Sequence, residues 1–214
     1  GAFGGPGAAD WSGTIPLAPA ELPAVDEDWS DLELYGGQIL SLAIDPVDDS
    51  KLFATSYMGD GLFVGSDKGA SWESVPGFRN FACNQVAIDD SNHLRVWVAF
   101  NHYIARSDDG GNSWSKWSLP ETRLCQSVAV HPNDGQVVYI GAGGAGSSTA
   151  NGTIYKTEDG GDSWQKLPIE TDKIVKFITI NPSNPNEIWV LTGLRDIGTV
   201  YKSDNGGVSW NPDT

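Results

Sequence analysis

Three of the five arginines, Arg79, Arg123 and Arg195, fall in irregular stretches between apolar runs. A guanidinium pairs bidentately with a carboxylate, so three of them converging would hold a carboxylate-bearing ligand. Four acids in the same kind of stretch, Asp60, Glu121, Asp172 and Asp196, could serve paired-carboxylate hydrolysis if two of them faced one groove. Their plainer reading is as solvated loop acids. Tyr57, Phe78, His102 and Lys173 share these stretches and complete the set of binding candidates. The three histidines, His93, His102 and His131, have no metal-ligand spacing, and no metal site is expected. Gly141-Ala142-Gly143-Gly144 joins two strand-like runs instead of opening a helix, so neither a phosphate loop nor a cofactor is expected. Two cysteines, Cys83 and Cys125, are too few for a four-ligand zinc site.

The elements that would position these groups are written in a repeat. Four segments align: Gly65 to Trp72, Arg106 to Trp114, Lys156 to Trp164 and Lys202 to Trp210, with tryptophans 42, 50 and 46 residues apart. Trp29, 43 residues before Trp72, marks a further copy that lacks the Asp-Gly turn. Each unit holds a first apolar run (Leu40 to Ile44, Asn84 to Ile88, Gln126 to Val130, Val175 to Ile180) and a polar turn. A second run (Leu52-Phe53-Ala54, Val96-Trp97-Val98, Val138-Tyr139-Ile140, Ile188-Trp189-Val190) and a third leading into the aligned segment complete it. β-Branched and aromatic residues bounded by Gly, Pro, Asn and Asp read as strands. Four strands per unit of about 45 residues is the signature of propeller blades.

The aligned segment is read as a hairpin turn between the third and fourth strands. Asp67, Asp108, Asp159 and Asp204 are expected to accept backbone N–H bonds, while Gly69, Gly110, Gly161 and Gly206 supply positive φ. Trp72, Trp114, Trp164 and Trp210 are expected to pack at seams between blades. On this alignment the second copy carries one residue more than the first, and Thr157-Glu158-Asp159 replaces Ser-x-Asp in the third. The pattern Ser-x-Asp-x-Gly-x-x-Trp resembles the Asp-box, or bacterial neuraminidase repeat. That repeat is found in sialidases, xyloglucanases, sortilin-type receptors and the photosystem II assembly factors of chloroplasts and cyanobacteria. The resemblance covers about residues 29–214 and implies an all-β propeller of four-stranded antiparallel blades. It says little of activity, since function lives in sites grafted on folds. A sialidase would also carry Phe/Tyr-Arg-Ile-Pro, and Phe78-Arg79-Asn80-Phe81 departs from it.

Strand order sends the boxes and the polar turns to one face. The other face collects the variable loops, where binding groups gather on a rigid scaffold. Tyr57, Asp60, Phe78, Arg79, His102, Arg123, Lys173 and Arg195 all belong to that variable face. Cys83 and Cys125 occupy the same register in consecutive first strands, each three residues before the Val of Val-Ala-Ile or Val-Ala-Val. Equivalent residues of neighbouring blades point the same way round the ring, which favours buried thiols. A disulfide between them stays open as the other reading. Lys plus Arg is 13 against Asp plus Glu at 28, net −15 with pI near 4.3, which argues against a nucleic-acid partner, since phosphate binding needs a basic footprint, and disfavours anionic membranes. No run approaches 18 apolar residues, so no spanning helix is expected. The chain opens on Gly1 with no basic-then-apolar leader, and an already removed signal peptide with an extracellular or periplasmic location is the expectation.

Residues 1–25, rich in Gly, Ala and Pro, read as an arm or linker, and 26–214 as the propeller. Blades are expected near 37–76, 77–120, 121–169 and 170–214, with an extra outer strand near Trp29. Rings of the resembled family have more than four blades, so the expected architecture is an incomplete stretch of a larger ring. The expected function is a non-catalytic, extracytoplasmic binding or assembly module. Its partner would be a protein, a glycan or further blades from the same or another chain. A glycoside hydrolase is the alternative.

Overall fold

The computed structural model describes residues 37–57, 61–119, 124–144, 151–194 and 197–213. The expected arm over 1–25 and the strand near Trp29 lie outside the described residues. The described chain is all strand and turn. The first sheet holds β1 (Ile39–Ile44), β2 (Leu52–Ser56), β3 (Leu62–Gly65) and β4 (Glu73–Ser74). The second holds β5 (Cys83–Asp89), β6 (Asn92–Phe100), β7 (Tyr103–Ser107) and β8 (Ser115–Ser118). The third holds β9 (Leu124–His131), β10 (Asp134–Gly143), β11 (Thr153–Thr157) and β12 (Gln165–Leu167). The fourth holds β13 (Ile174–Ile180), β14 (Ile188–Leu194), β15 (Ile197–Ser203) and β16 (Asn211–Asp213). Every sheet is an antiparallel meander in chain order, so the four sheets are four blades of an incomplete β-propeller.

Burial explains why the second strands are written as continuous apolar runs. The last five residues of β6 are buried, because the second blade lies between two neighbours and is covered on both faces; all five residues of β2 are buried as well. β14 alternates instead: Ile188, Val190 and Thr192 are buried, whereas Trp189 and Leu191 are not. Three core clusters fill the three seams. Phe53 and Leu62 of the first blade meet Val86, Val98 and Phe100 of the second. Trp97 and Ile104 meet Val128 and Ile140. Tyr139 and Ile154 meet Val175, Ile178 and Val190. Trp114, Trp164 and Trp210, each half-buried, pack against these clusters in turn, and each lies in the seam with the blade before its own.

The box turns correct the sequence alignment at two positions. In the first, Asp67 accepts the Ser71 N–H at 2.9 Å and the Ser71 hydroxyl at 2.6 Å. In the second the same work is done by Asp109, not Asp108: it accepts the Ser113 N–H at 2.8 Å and hydroxyl at 2.6 Å. Asp159 does it in the third and Asn205, not Asp204, in the fourth, where Ser209 N–H donates at 3.0 Å. The turn has one length in all four copies: the capping residue stands five places before each Trp and a glycine three before it. The expected extra residue of the second copy is therefore absent. The glycines at that −3 position are Gly69, Gly111, Gly161 and Gly207, with φ from 82° to 101°. Gly110 and Gly206 stand one place earlier, with φ of 69° and 66°, where the first box tolerates Lys68 at 62°. Displaced from the turn, Asp108 takes Arg95 and Arg106 at 2.9 and 2.8 Å, and Asp204 takes Lys202 at 2.8 Å. The hydroxyl and N–H of Ser113, with help from Ser107, hold the Asp109 carboxyl down at about 2.

Cys83 and Cys125 are both buried and not joined to each other, which sets aside the disulfide. Each faces the blade before its own, so they lie in different clusters, Cys83 in the first seam and Cys125 in the second. Burial pushes both thiols up to about 12.

Candidate functional site

The meander order puts the turns between second and third strands, together with the blade-to-blade connections, at the end of the sheets opposite the boxes. There the turns of the first three blades each clasp the chain that enters the next blade. Gly61 lies against the carbonyl of Phe78, too close for a side chain, and Gly152 lies likewise against the carbonyl of Lys173. Asn101, at φ 40°, performs this role in the second seam. Its carbonyl accepts the Cys125 N–H at 2.6 Å. Its own N–H donates to the Ala82 carbonyl at 3.0 Å, and its side-chain oxygen accepts the Ala82 N–H at 3.1 Å. One residue thus ties its own turn to the connection that enters the second blade and to the start of β9 in the third.

At this end of the second blade, β6, β7 and β8 together with Phe81 of the preceding connection line a groove of about 330 Å³, formed by Phe81, Phe100, Tyr103, Lys116 and Ser118. Tyr103, 42% exposed, stacks on Phe100 with ring centroids 5.6 Å apart at 29°. Phe81 meets Phe100 edge-on at 5.5 Å. Lys116 lays its ammonium 4.8 Å from the Phe78 ring centroid and 5.5 Å from that of Phe100, and donates to the Gly77 carbonyl at 2.7 Å. An aromatic floor with one ammonium can take a flat or apolar group, with a charge-assisted bond at its edge. A second groove, of about 500 Å³, runs beside the outer strands of the fourth blade between Pro168, Tyr201, Trp210 and Pro212; Trp210 is an expected box residue, and none of the expected binding residues lines it.

The sequence-predicted residues are divided by this geometry. Phe78 is fully buried and meets Phe100 and Trp114 edge-on, each at 5.0 Å, so it is a core side chain and not a presented one. Arg79 follows it on the exposed surface, and His102 is half-buried in the turn that separates Phe100 from Tyr103. Tyr57 is half exposed, its N–H donating to the Gln38 carbonyl at 2.9 Å. Lys173 belongs to the fourth blade, where its ammonium donates to the Thr199 hydroxyl at 2.8 Å. Asp172 is exposed beside it. Asp60, Glu121, Arg123, Arg195 and Asp196 lie outside the described residues. Sequence reasoning missed Tyr103 and Lys116, and took in Phe81 only as the end of the variable stretch that starts at Phe78. The signal that could have found Tyr103 is its place immediately after the Asn101-His102 turn, whereas Lys116 reaches the groove only through the pairing of β8 with β7.

The Sortilin-Vps10 family model, described as sortilin, neurotensin receptor 3, matches residues 102–212. No curated protein matches the chain. Among solved structures, an ancestral GH74 enzyme is similar with a TM-score of 0.69 at 24% identity, over 82% of this chain and 24% of that one. The GH74 xyloglucanase from Xanthomonas campestris is similar at 0.65 and 22% identity, over 80% and 29%. YCF48 from Cyanidioschyzon merolae gives 0.48 at 15% identity, over 86% and 88%. This chain thus spans about a quarter of the length of the GH74 structures, and at these identities the likeness is one of fold. The family match is of another kind: it runs through three of the four boxes and takes in just over half of the sequence, and on it the chain belongs to the Sortilin-Vps10 family.

Proposed function

We propose that the chain is a non-catalytic, extracytoplasmic binding module that receives a protein or glycan partner on its variable loop face. The observation that carries this reading is the groove at the loop end of the second blade, where Tyr103 stands exposed on Phe100 beside the Lys116 ammonium. Aromatic residues are costly to leave in water, and an exposed one braced by a second ring is prepared to cover a ligand surface. The floor is rigid, because Phe100 belongs to the core of the seam. Membership of a family whose description names a neurotensin receptor supports a protein partner, and the fold shared with a xyloglucanase supports testing a glycan beside it.

The test is titration of the purified chain and its Tyr103→Ala variant against an immobilised peptide array and against xyloglucan oligosaccharides. Binding by one class of ligand that falls about tenfold in the variant, ~1.4 kcal/mol, with an unchanged unfolding midpoint, is the expected result. Release of reducing sugar by the purified chain would overturn the non-catalytic reading.

A further inference from the structure

In the first and third seams the connection that leaves one blade passes the outer strands of the next, and the repeat makes the two passages comparable place by place. Counted from the box Trp, Val75-Pro76-Gly77-Phe78 after Trp72 corresponds to Leu167-Pro168-Ile169-Glu170 after Trp164. On the blade that follows, Lys116 and Pro212 stand two places after Trp114 and Trp210, and they pair with Ala105 and Tyr201.

The first seam fills this place from within. Lys116 donates to the Gly77 carbonyl at 2.7 Å and lays its ammonium 4.8 Å from the Phe78 ring centroid, while Phe78 meets Trp114 edge-on. In the third seam the filling groups are exchanged. Pro212 brings no ammonium, and Glu170, exposed, stands at the Phe78 position. Tyr201 replaces Ala105 and packs with Trp210 against the core of the seam, and its hydroxyl donates to the Glu170 carbonyl at 3.4 Å. What results is the groove of about 500 Å³ between Pro168, Tyr201, Trp210 and Pro212. Among the described residues that line it, Glu170 is the only charged one.

We propose that this groove is a binding site for an arginine flanked by prolines in an extended partner peptide. The guanidinium would take the place that Lys116 holds in the first seam, paired with Glu170 and laid on the Tyr201 or Trp210 ring, as its flat fork allows. Charge complementarity selects the cation, because the one charged wall is a carboxylate, on a chain of net −15. The walls select the flanks: aromatic-lined grooves take proline-rich segments, which need no ladder of backbone bonds. Pro212 withholds an N–H from the outer edge of the blade, so a peptide added there as a further strand is met less well. The site shares no lining residue with the Tyr103 groove and does not rest on it.

The experiment titrates the full chain with acetyl-Pro-Pro-Arg-Pro-Pro-amide in isothermal calorimetry at about 0.15 M salt, where long-range attraction is screened. The same peptide with citrulline for arginine keeps the shape and loses the charge. Saturable binding that weakens about tenfold with citrulline is the expected result, and this comparison needs no variant of the protein. Glu170→Gln should weaken binding to the same degree. Pro212→Lys should abolish it, because it restores the internal ammonium of the first seam. Asp90→Asn removes the same charge from exposed surface on the second blade, and it should bind as the wild type does, as should Tyr103→Ala. Equal binding of the citrulline peptide overturns the proposal, as does no binding up to about 1 mM peptide or unaltered binding by Pro212→Lys. A loss in Asp90→Asn equal to that in Glu170→Gln overturns it in favour of general attraction to an acidic surface. A loss in Tyr103→Ala overturns it by placing the peptide in the second-blade groove.

Discussion

Asp109 is solvent-exposed, yet its carboxyl is held at about 2 by bonds from Ser113 and Ser107. A carboxyl depressed by folding contributes stability that is complete above its unfolded value near 3.9 and is lost as pH falls through the folded one. The difference in melting temperature between the wild type and Asp109→Asn should therefore be largest above about pH 4, shrink as pH falls, and vanish only below about pH 2. Thermal melts across an acid series check it. Asp109→Ala should lower the melting temperature more than Asn, which already fills this place as Asn205 in the fourth box. Asp108→Ala, which removes only exposed pairings to Arg95 and Arg106, should lower it least. Sequence reading chose the first acid of the Asp-Asp pair because residue type cannot separate neighbours. The constant offset from the Trp does separate them, and was the overlooked signal.

Within the elements, the heaviest single contact is Trp97 of β6. It is fully buried, edge-on to Trp164 at 6.2 Å, and capped by Arg106. Trp97→Ala should destabilise the chain by about 3–5 kcal/mol in denaturant unfolding, the range for large aromatic deletions in cores. Trp97→Phe should cost less than half of that. The indole N–H finds no acceptor among the described residues, so its removal relieves an unpaired donor while a ring stays in the seam. The strands themselves were legible, since apolar runs bounded by turn residues mark all four blades. Which strand face meets which neighbour was not: Phe78 stands in a loop stretch and reads as presented, but the connection turns it inward onto Phe100 and Trp114.

Across the whole molecule the charge of −15 opposes compaction. Raising ionic strength from about 0.01 M to about 0.1 M shortens the screening length from about 30 to about 10 Å. The melting temperature should rise over that interval. A fall would mean that the Arg95–Asp108–Arg106 cluster and its like outweigh the repulsion. The blade order also sets where function can sit: boxes lock the seams at one end, and the loops that differ from blade to blade meet at the other.

The repeat, the four-stranded unit and the propeller class are legible in the order of residues, because each box closes within eight residues by local bonds that nearby N–H groups donate to a carboxylate or amide oxygen. That order also placed Cys83 and Cys125 in one register, from which separate burial follows. Tertiary structure alone decided the groove. Phe81 comes from a connection, Phe100 and Tyr103 from the two sides of one turn, and Lys116 from an outer strand. No local pattern links residues so far apart in the chain. Their meeting depends on sheet register and on the packing of one blade against the next, which are set by the burial of all the strands together.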